Sequence, residues 1–367
     1  MNERLKKMRE IGQSVWIDSL SRDDVQNGDL GRMVEEGVTG VTSNPSIFQK
    51  AISQSSLYDE QLRKVAENES DPKEVFFQLA KKDIRDACDI LKPVYDETGG
   101  LDGYVSLEVS PDLAYDTDAT IEEAQRLHEM VDKPNLLVKI PATEEGLPAI
   151  EEMISRGKPI NVTLIFSLDR YKAVADAYIK GLKRLVDSGG DPSKVASVAS
   201  FFVSRVDTEA DRRLEEIGSP DLKGRLAIAN AKLAYAEFQE IFSGDEWEVL
   251  AAKGANPQRP LWASTSTKDP DYPDLKYVEP LIGPLTVNTM PLETLEATKE
   301  GADVRPTIEE GVEGARKLFS DLEAAGIDYD DVTDVLEKEG VEKFADSFDE
   351  LIEGIKDKSH RVVRQEG

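Results

Sequence analysis

The chain has 367 residues, 39% hydrophobic and 7% aromatic, enough to bury a substantial core in one large domain or two ordinary ones. Against 45 basic side chains stand 73 acidic ones, and the formal net charge of -28 sets nucleic acid and membrane surfaces aside as partners. One cysteine excludes an intramolecular disulfide framework, and two histidines leave no material for a histidine triad or a zinc cluster.

The N-terminal stretch MNERLKKMREIGQSVWIDSL is charged and amphipathic, without the apolar centre of a secretion signal. No segment approaches the roughly 20 apolar residues that cross a bilayer, so a cytoplasmic protein is expected. The first two β-type runs are SVWIDS near 14 and VTGVTSN near 38. A long connection from about 45 to 102 follows, carrying the helical pattern DPKEVFFQLAKKDIRDACDILKPV, whose spacing turns Cys88 toward the core as a structural thiol. GYVSLEV near 103 is the third run, TIEEAQRLHEMVD a helix containing His128, and NLLVKI near 135 the fourth run. INVTLIF near 160, the helix SLDRYKAVADAYIKGLKRLVDSG and VASVASFF near 195 come next. After the helix DLKGRLAIANAKLAYAEFQEIFSG, the last two runs are PLWAST near 260 and YVEPLI near 277. Acidic helices fill about 290–358, where Val341, Phe344, Phe348, Leu351 and Ile355 recur at helical spacing and are expected to pack this tail on the body. His360 lies near the end. The run DYDDVTDVLEKE lacks the loop glycine of a calcium-binding EF-hand and reads as a solvated helix start, so no metal is assigned.

Strands alternating with helices imply parallel pairing through right-handed crossovers. Eight such units favour a closed α/β barrel, the (β/α)8 TIM barrel, over an open doubly wound sheet. No repeat, low-complexity tract or Gly/Ser linker interrupts the chain, so one barrel domain over 1–367 is expected, with strands at about 14–283 and additional helices in the β2–β3 connection and at the C-terminus.

The strand patterns carry polar residues that a sheet buried on both faces ordinarily lacks. Asn161 and Thr163 share a face, as do Ser106 with Glu108 and Leu137 with Lys139, and a polar face at the strand ends describes the mouth of a barrel. Lys139 in NLLVKIPAT must pair or give up its charge, and a desolvated neutral amine is a nucleophile toward carbonyls; a buried ion pair explains it equally well. Asp18 in VWIDSL and Glu108 in VSLEVSPDLAYD are further ionisable groups suited to moving protons around a Schiff base, or alternatively caps and ion-pair partners. Asn44, Asn161 and Thr163 suit substrate hydroxyls or a water, although Asn44-Pro45-Ser46 also reads as a helix start. Ser200, Phe202 and Arg205 in ASFFVSRVD, with Lys268 in ASTSTKDP, place a hydroxyl, a guanidinium and an ammonium where barrels often hold phosphate. No Walker loop or G-x-G-x-x-G follows a strand, so the expected substrate is a phosphorylated sugar and not a nucleotide.

The succession VTSNPSIF, VSLEVSPDLAYDT, LLVKIPAT, INVTLIFS, ASFFVSRVD and PLWASTSTK resembles the transaldolases over nearly the whole chain, and the longer bacterial branch in particular. The resemblance implies a transferase that moves a dihydroxyacetone unit from sedoheptulose 7-phosphate to glyceraldehyde 3-phosphate, giving erythrose 4-phosphate and fructose 6-phosphate, in the pentose phosphate pathway. It implies Lys139 as the Schiff-base lysine, Asp18 as the group that takes the proton from the substrate hydroxyl, and Glu108 with Thr163 as holders of the proton-shuttling water. Asn44 and Asn161 would hold dihydroxyacetone hydroxyls, and Ser200 and Arg205 the phosphate, beside Phe202. Neither metal nor organic cofactor is needed, and a monomer or homodimer is expected. One departure stands out: short transaldolases usually carry arginine where this chain has Ser266, and Lys268 is the nearest replacement charge. The rivals are a fructose-6-phosphate aldolase, in which the resemblance gives glutamine for Glu108 and tyrosine for Phe202, and a non-catalytic sugar-phosphate-binding barrel.

Overall fold

The computed structural model describes residues 1–364. Eight parallel strands close in chain order into a barrel: β1 (Gln13–Ile17), β2 (Gly40–Val41), β3 (Val105–Glu108), β4 (Leu136–Pro141), β5 (Ile160–Ile165), β6 (Ser197–Phe202), β7 (Arg259–Ala263) and β8 (Thr286–Met290), with β8 pairing back onto β1. Every strand residue is buried, because one face lines the barrel interior and the other lies under a ring of helices. The surrounding helices start where the sequence supplies an acceptor: Asp71 before Pro72–Glu97, Asp116 before Thr117–Val131 and Ser167 before Leu168–Asp187 each accept a first-turn amide.

The eighth strand is not the expected one. YVEPLI, 277–282, forms a turn containing the short 3-10 segment Glu279–Leu281, and the strand is TVNTM nine residues further on, so the barrel extends to Met290. Pro280 has no amide proton for a ladder, while the Leu281 carbonyl is taken by the Gln13 amide at 2.8 Å and the Trp262 indole at 3.1 Å. The apolar residues of this segment therefore pack on the outward faces of β1 and β7 instead of joining the barrel wall.

The lower end of the barrel interior is closed by a charged cluster. Asp102 accepts from Trp16 Nε1 at 2.8 Å and from the Ser14 hydroxyl, and Arg259 donates to the same hydroxyl at 2.8 Å. Gly40 makes room for this: a Cβ there would lie 2.4 Å from the Trp16 ring.

Two additions matter for the site. The β2–β3 connection contributes the helices Pro45–Gln54, Asp59–Ala66 and Pro72–Glu97. It is pinned by Arg22, whose guanidinium pairs with Asp83 at 2.8 Å, donates to Gln61 at 2.7 Å and stacks 4.1 Å from the Tyr58 ring centre, with both members of the ion pair buried. The C-terminal helix Tyr329–Arg364 crosses back over the barrel, and Val341, Phe344, Phe348, Leu351 and Ile355 are buried against the body as their spacing predicts. It is held at both ends. Tyr329 donates to Asn230 at 2.7 Å, and Lys358 donates to the carbonyls of Ile52 and Ser55 at 2.8 and 2.6 Å, where a cation also meets the negative end of helix Pro45–Gln54. No helix among the described residues is long and apolar enough to cross a membrane.

Burial already pushes the Asp83 carboxyl above its usual range even with Arg22 beside it. Arg22→Ala removes the only buried cation facing it among the described residues and is expected to cost about 3–5 kcal/mol, read as a lower urea midpoint at unchanged slope; Lys82→Ala, an exposed neighbour, is expected to change it little.

Candidate active site

The ends of the strands build one polar layer by register. Glu108 on β3 is directly opposite Lys139 on β4, and Lys139 is opposite Asn161 on β5. Since side chains alternate along a strand, Val105, Leu107, Val138 and Ile140 face the helices while Ser106, Glu108, Lys139 and Asn161 face inward. Lys139 Nζ lies 3.1 Å from Glu108 Oε2 and donates to the Ser43 carbonyl at 3.2 Å, with lysine and glutamate both buried. Asn161 spends both ends of its amide inside this layer, donating to Ser106 Oγ at 3.1 Å and accepting from Ser200 Oγ at 2.7 Å.

Above the layer opens a cavity of about 160 Å³. Lys139, Thr163 and Asn44 reach it from one side, and Ser200, Phe202, Arg205, Ser266 and Lys268 from the other. Glu108 and Asn161 do not line it and act on it through Lys139 and Ser200. Asn44 is a helix cap and a wall residue together: its Oδ1 accepts from Ile47 N at 3.0 Å as the cap of helix Pro45–Gln54, and the residue lines the cavity. Thr163 Oγ1 is buried and has no hydrogen-bond partner, a position that suits a water or a substrate hydroxyl.

Asp18, just past β1, is half-buried on the cavity wall and accepts from Thr42 Oγ1 at 2.7 Å; Thr42 and Thr289 hydroxyls are 2.6 Å apart. Because the Thr42 proton is given to Asp18, Thr289 is the donor to Thr42, and the chain of hydroxyls fixes the carboxylate's orientation. Burial raises the Asp18 carboxyl above its usual range, against the pull of the Thr42 hydroxyl and of Lys139, Arg205 and Lys268. Burial raises Glu108 as well, opposed by Lys139. Arg205 lies 5.2 Å over the Phe202 ring and Lys268 donates to Ser266 Oγ at 2.8 Å; burial lowers the proton affinity of both cations, and for Lys268 the Arg205 charge adds to it. Their stored repulsion is relieved by an anion. Elsewhere, the Cys88 thiol is buried and pushed upward, and burial pushes His128 down to about 3, so both are inert near neutrality. No group of three or more His, Cys, Asp or Glu residues arranged for a metal occurs among the described residues.

The family model for transaldolase/fructose-6-phosphate aldolase matches residues 15–355. The chain is 51% identical to a transaldolase of Frankia alni over 357 residues, 96% of each chain, and 51% identical to one of Acidothermus cellulolyticus over 371 aligned positions, 100% of each. A transaldolase of Mycobacterium marinum is 50% identical over 358 residues, 96% of each chain. The chain belongs to the transaldolase/fructose-6-phosphate aldolase family.

Within this transaldolase-family barrel, four wall residues escaped the sequence reading. Thr289 was hidden by the misplaced eighth strand, and Thr42 by its place at the end of a two-residue strand. Ser264, in the left-handed region at φ 56°, turns the end of β7 so that its hydroxyl meets that of Ser204 at 2.8 Å. Phe344 was read only as packing, although its ring centre is 5.6 Å from Lys139 Nζ and it lines the cavity. Its neighbours at helical spacing gave no sign that this one turn meets the site.

A carboxyl raised by burial supports the fold while protonated and loses that support as pH rises through its folded pKa. Asp18→Asn is therefore expected to raise the thermal midpoint at about pH 8 and to lose that gain progressively on acidification toward about pH 4, as the native carboxyl takes up its own proton. Scanning calorimetry across that range checks it, and a gain that grows on acidification contradicts a raised Asp18.

Proposed function

We propose that this chain is a transaldolase of the pentose phosphate pathway that carries dihydroxyacetone on Lys139, working in the cytoplasm as a monomer or homodimer with the whole chain as one catalytic unit. The observation that carries the reading is a buried lysine amine, registered across neighbouring strands with a carboxyl and opening onto a small cavity that holds a second carboxyl and two cations. An acidic composition and one buried cysteine suit the cytoplasm.

In this reading Lys139 passes a proton toward Glu108, whose burial-raised proton affinity suits it to receive one, and attacks the ketone of a phosphorylated ketose. Water bound at Thr163 carries protons between the carbinolamine oxygen and Glu108 until hydroxide leaves as water and the iminium forms. Asp18 then takes the C4 hydroxyl proton, the C3–C4 bond breaks, and its electron pair moves into the iminium to leave an enamine. The aldehyde departs and a second aldehyde phosphate enters. The enamine attacks its carbonyl carbon, Asp18 returns the proton to the new hydroxyl, and hydrolysis frees the new ketose. Arg205 and Lys268 hold the phosphate in both half-reactions, with Lys268 supplying the charge absent at Ser266. Asn44 and Asn161 orient the dihydroxyacetone hydroxyls, and Ser200, which donates to Asn161, joins Arg205 at the phosphate. Glu108 and Phe202 favour transfer over the aldolase branch of the family, where the resemblance gives glutamine and tyrosine.

With fructose 6-phosphate as donor, sedoheptulose 7-phosphate is expected only when erythrose 4-phosphate is present, followed by mass spectrometry; free dihydroxyacetone at a comparable rate with no acceptor points to an aldolase, and no turnover at any salt concentration rejects both. Borohydride is expected to trap the donor on the native protein and not on Lys139→Ala. Loss of one charge-assisted phosphate contact is worth about 1.5–3 kcal/mol, so Lys268→Ala is expected to lower kcat/KM for erythrose 4-phosphate by about 10- to 150-fold while leaving an unphosphorylated acceptor little affected.

A further inference from the structure

We propose that Phe344, delivered from the C-terminal helix, is the wall that keeps water from the Lys139-bound enamine and so decides between transfer and wasteful hydrolysis. The inference rests on the transaldolase reading. A transferase must hold its enamine while one aldehyde leaves and another arrives. In that interval, protonation of the enamine carbon followed by attack of water on the iminium carbon yields free dihydroxyacetone and the lysine amine, with one water consumed overall.

Four observations place Phe344 in this role. Its ring centre is 5.6 Å from Lys139 Nζ, it lines the same cavity, and it is 8% exposed, so the ring separates the amine from bulk solvent. Among the described residues it is the only aromatic side chain that the cavity receives from outside the barrel, Phe202 being part of β6. The helix bearing it is fixed close to the rim: at Gly340, one turn earlier, a Cβ would stand 3.0 Å from Leu164 Cδ2, and Ser347 pairs with Ser46 at 2.8 Å one turn later. Finally, the ring shares the cavity with Thr163, whose Oγ1 has no protein partner, and a polar pocket enlarged by loss of a phenyl group fills with water where an apolar one stays dry.

The test measures a ratio, dihydroxyacetone released to sedoheptulose 7-phosphate formed, from fructose 6-phosphate with erythrose 4-phosphate present. Phe344→Ala is expected to raise it by about tenfold or more, and Phe344→Leu, which keeps an apolar wall, to stay near the native value. Phe348→Ala is the structural control, because Phe348 lies on the same helix with its ring centre 5.8 Å from that of Phe76 in the body; it should lower the thermal midpoint and leave the ratio unchanged. Should Phe344→Ala not fold, Phe344→Gln, closer in size and polar, is expected to raise the ratio in its place. A ratio that stays at the native value in Phe344→Ala or Phe344→Gln, or one that rises equally in Phe348→Ala, overturns the inference while leaving the transferase reading intact. Native protein that forms no sedoheptulose 7-phosphate fails that reading first.

Discussion

An amine and a carboxyl buried side by side on neighbouring parallel strands are the constraint around which the rest of the molecule is arranged. Two charges taken out of water repay their desolvation only in good geometry with other polar groups at hand. Here the register of β3 and β4 sets Glu108 against Lys139, and the Ser43 carbonyl takes a second proton of the amine. A slip of one residue in either strand would turn one partner out among the helices. The barrel supplies that precision because each strand is clamped on both sides, so no edge strand can shift.

The same constraint explains how a molecule of net charge -28 handles anions. Its surface repels phosphate at long range, but at physiological salt that field decays over roughly 8 Å. Inside the cavity the balance reverses, since Arg205 and Lys268 converge on a wall whose one carboxylate is Asp18, with Glu339 and Glu293 acting on them from outside the lining, and both cations are partly stripped of water. Each cation is disfavoured by burial, and Lys268 by its neighbour too. A phosphate dianion removes both penalties at once, so the site gains more from binding than either side chain alone suggests.

Much of this was legible in the sequence, for physical reasons. Period-two alternation put Glu108 and Lys139 inward, and alternation of strand and helix patterns predicted a closed parallel sheet. What failed was the eighth strand. The apolar residues of 277–282 are buried as those of a strand would be, yet Pro280 and a turn at Val278 keep the segment out of the sheet, while in TVNTM only Val287 and Thr289 face inward and the outward Thr286 and Asn288 spend their polar groups on Gln13, Gly283 and Thr265, so no apolar alternation marks it as a strand. The cost of that misreading was Thr289. Phe344 is a different case: its burial followed from helical spacing, but which turn of a 36-residue helix passes over the lysine depends on tertiary contacts at Tyr329, Ser347 and Lys358 that carry no local signal.

Those contacts also account for an irregularity in the barrel. Between Val162 and Ile165 the register of β5 with β6 shifts, and Leu164 adopts a left-handed φ of 61°, which a leucine adopts only at a cost of about 1–2 kcal/mol. An unsupported strand end would relax. Leu164 is instead held from above by Gly340 of the C-terminal helix, where a Cβ would stand 3.0 Å from Leu164 Cδ2 and press the leucine aside. The shift begins beside Thr163, whose hydroxyl lines the cavity and has no protein partner. The helix that brings Phe344 over Lys139 thus also holds the strand end that presents Thr163 to it, and covering the site and shaping it are one packing event.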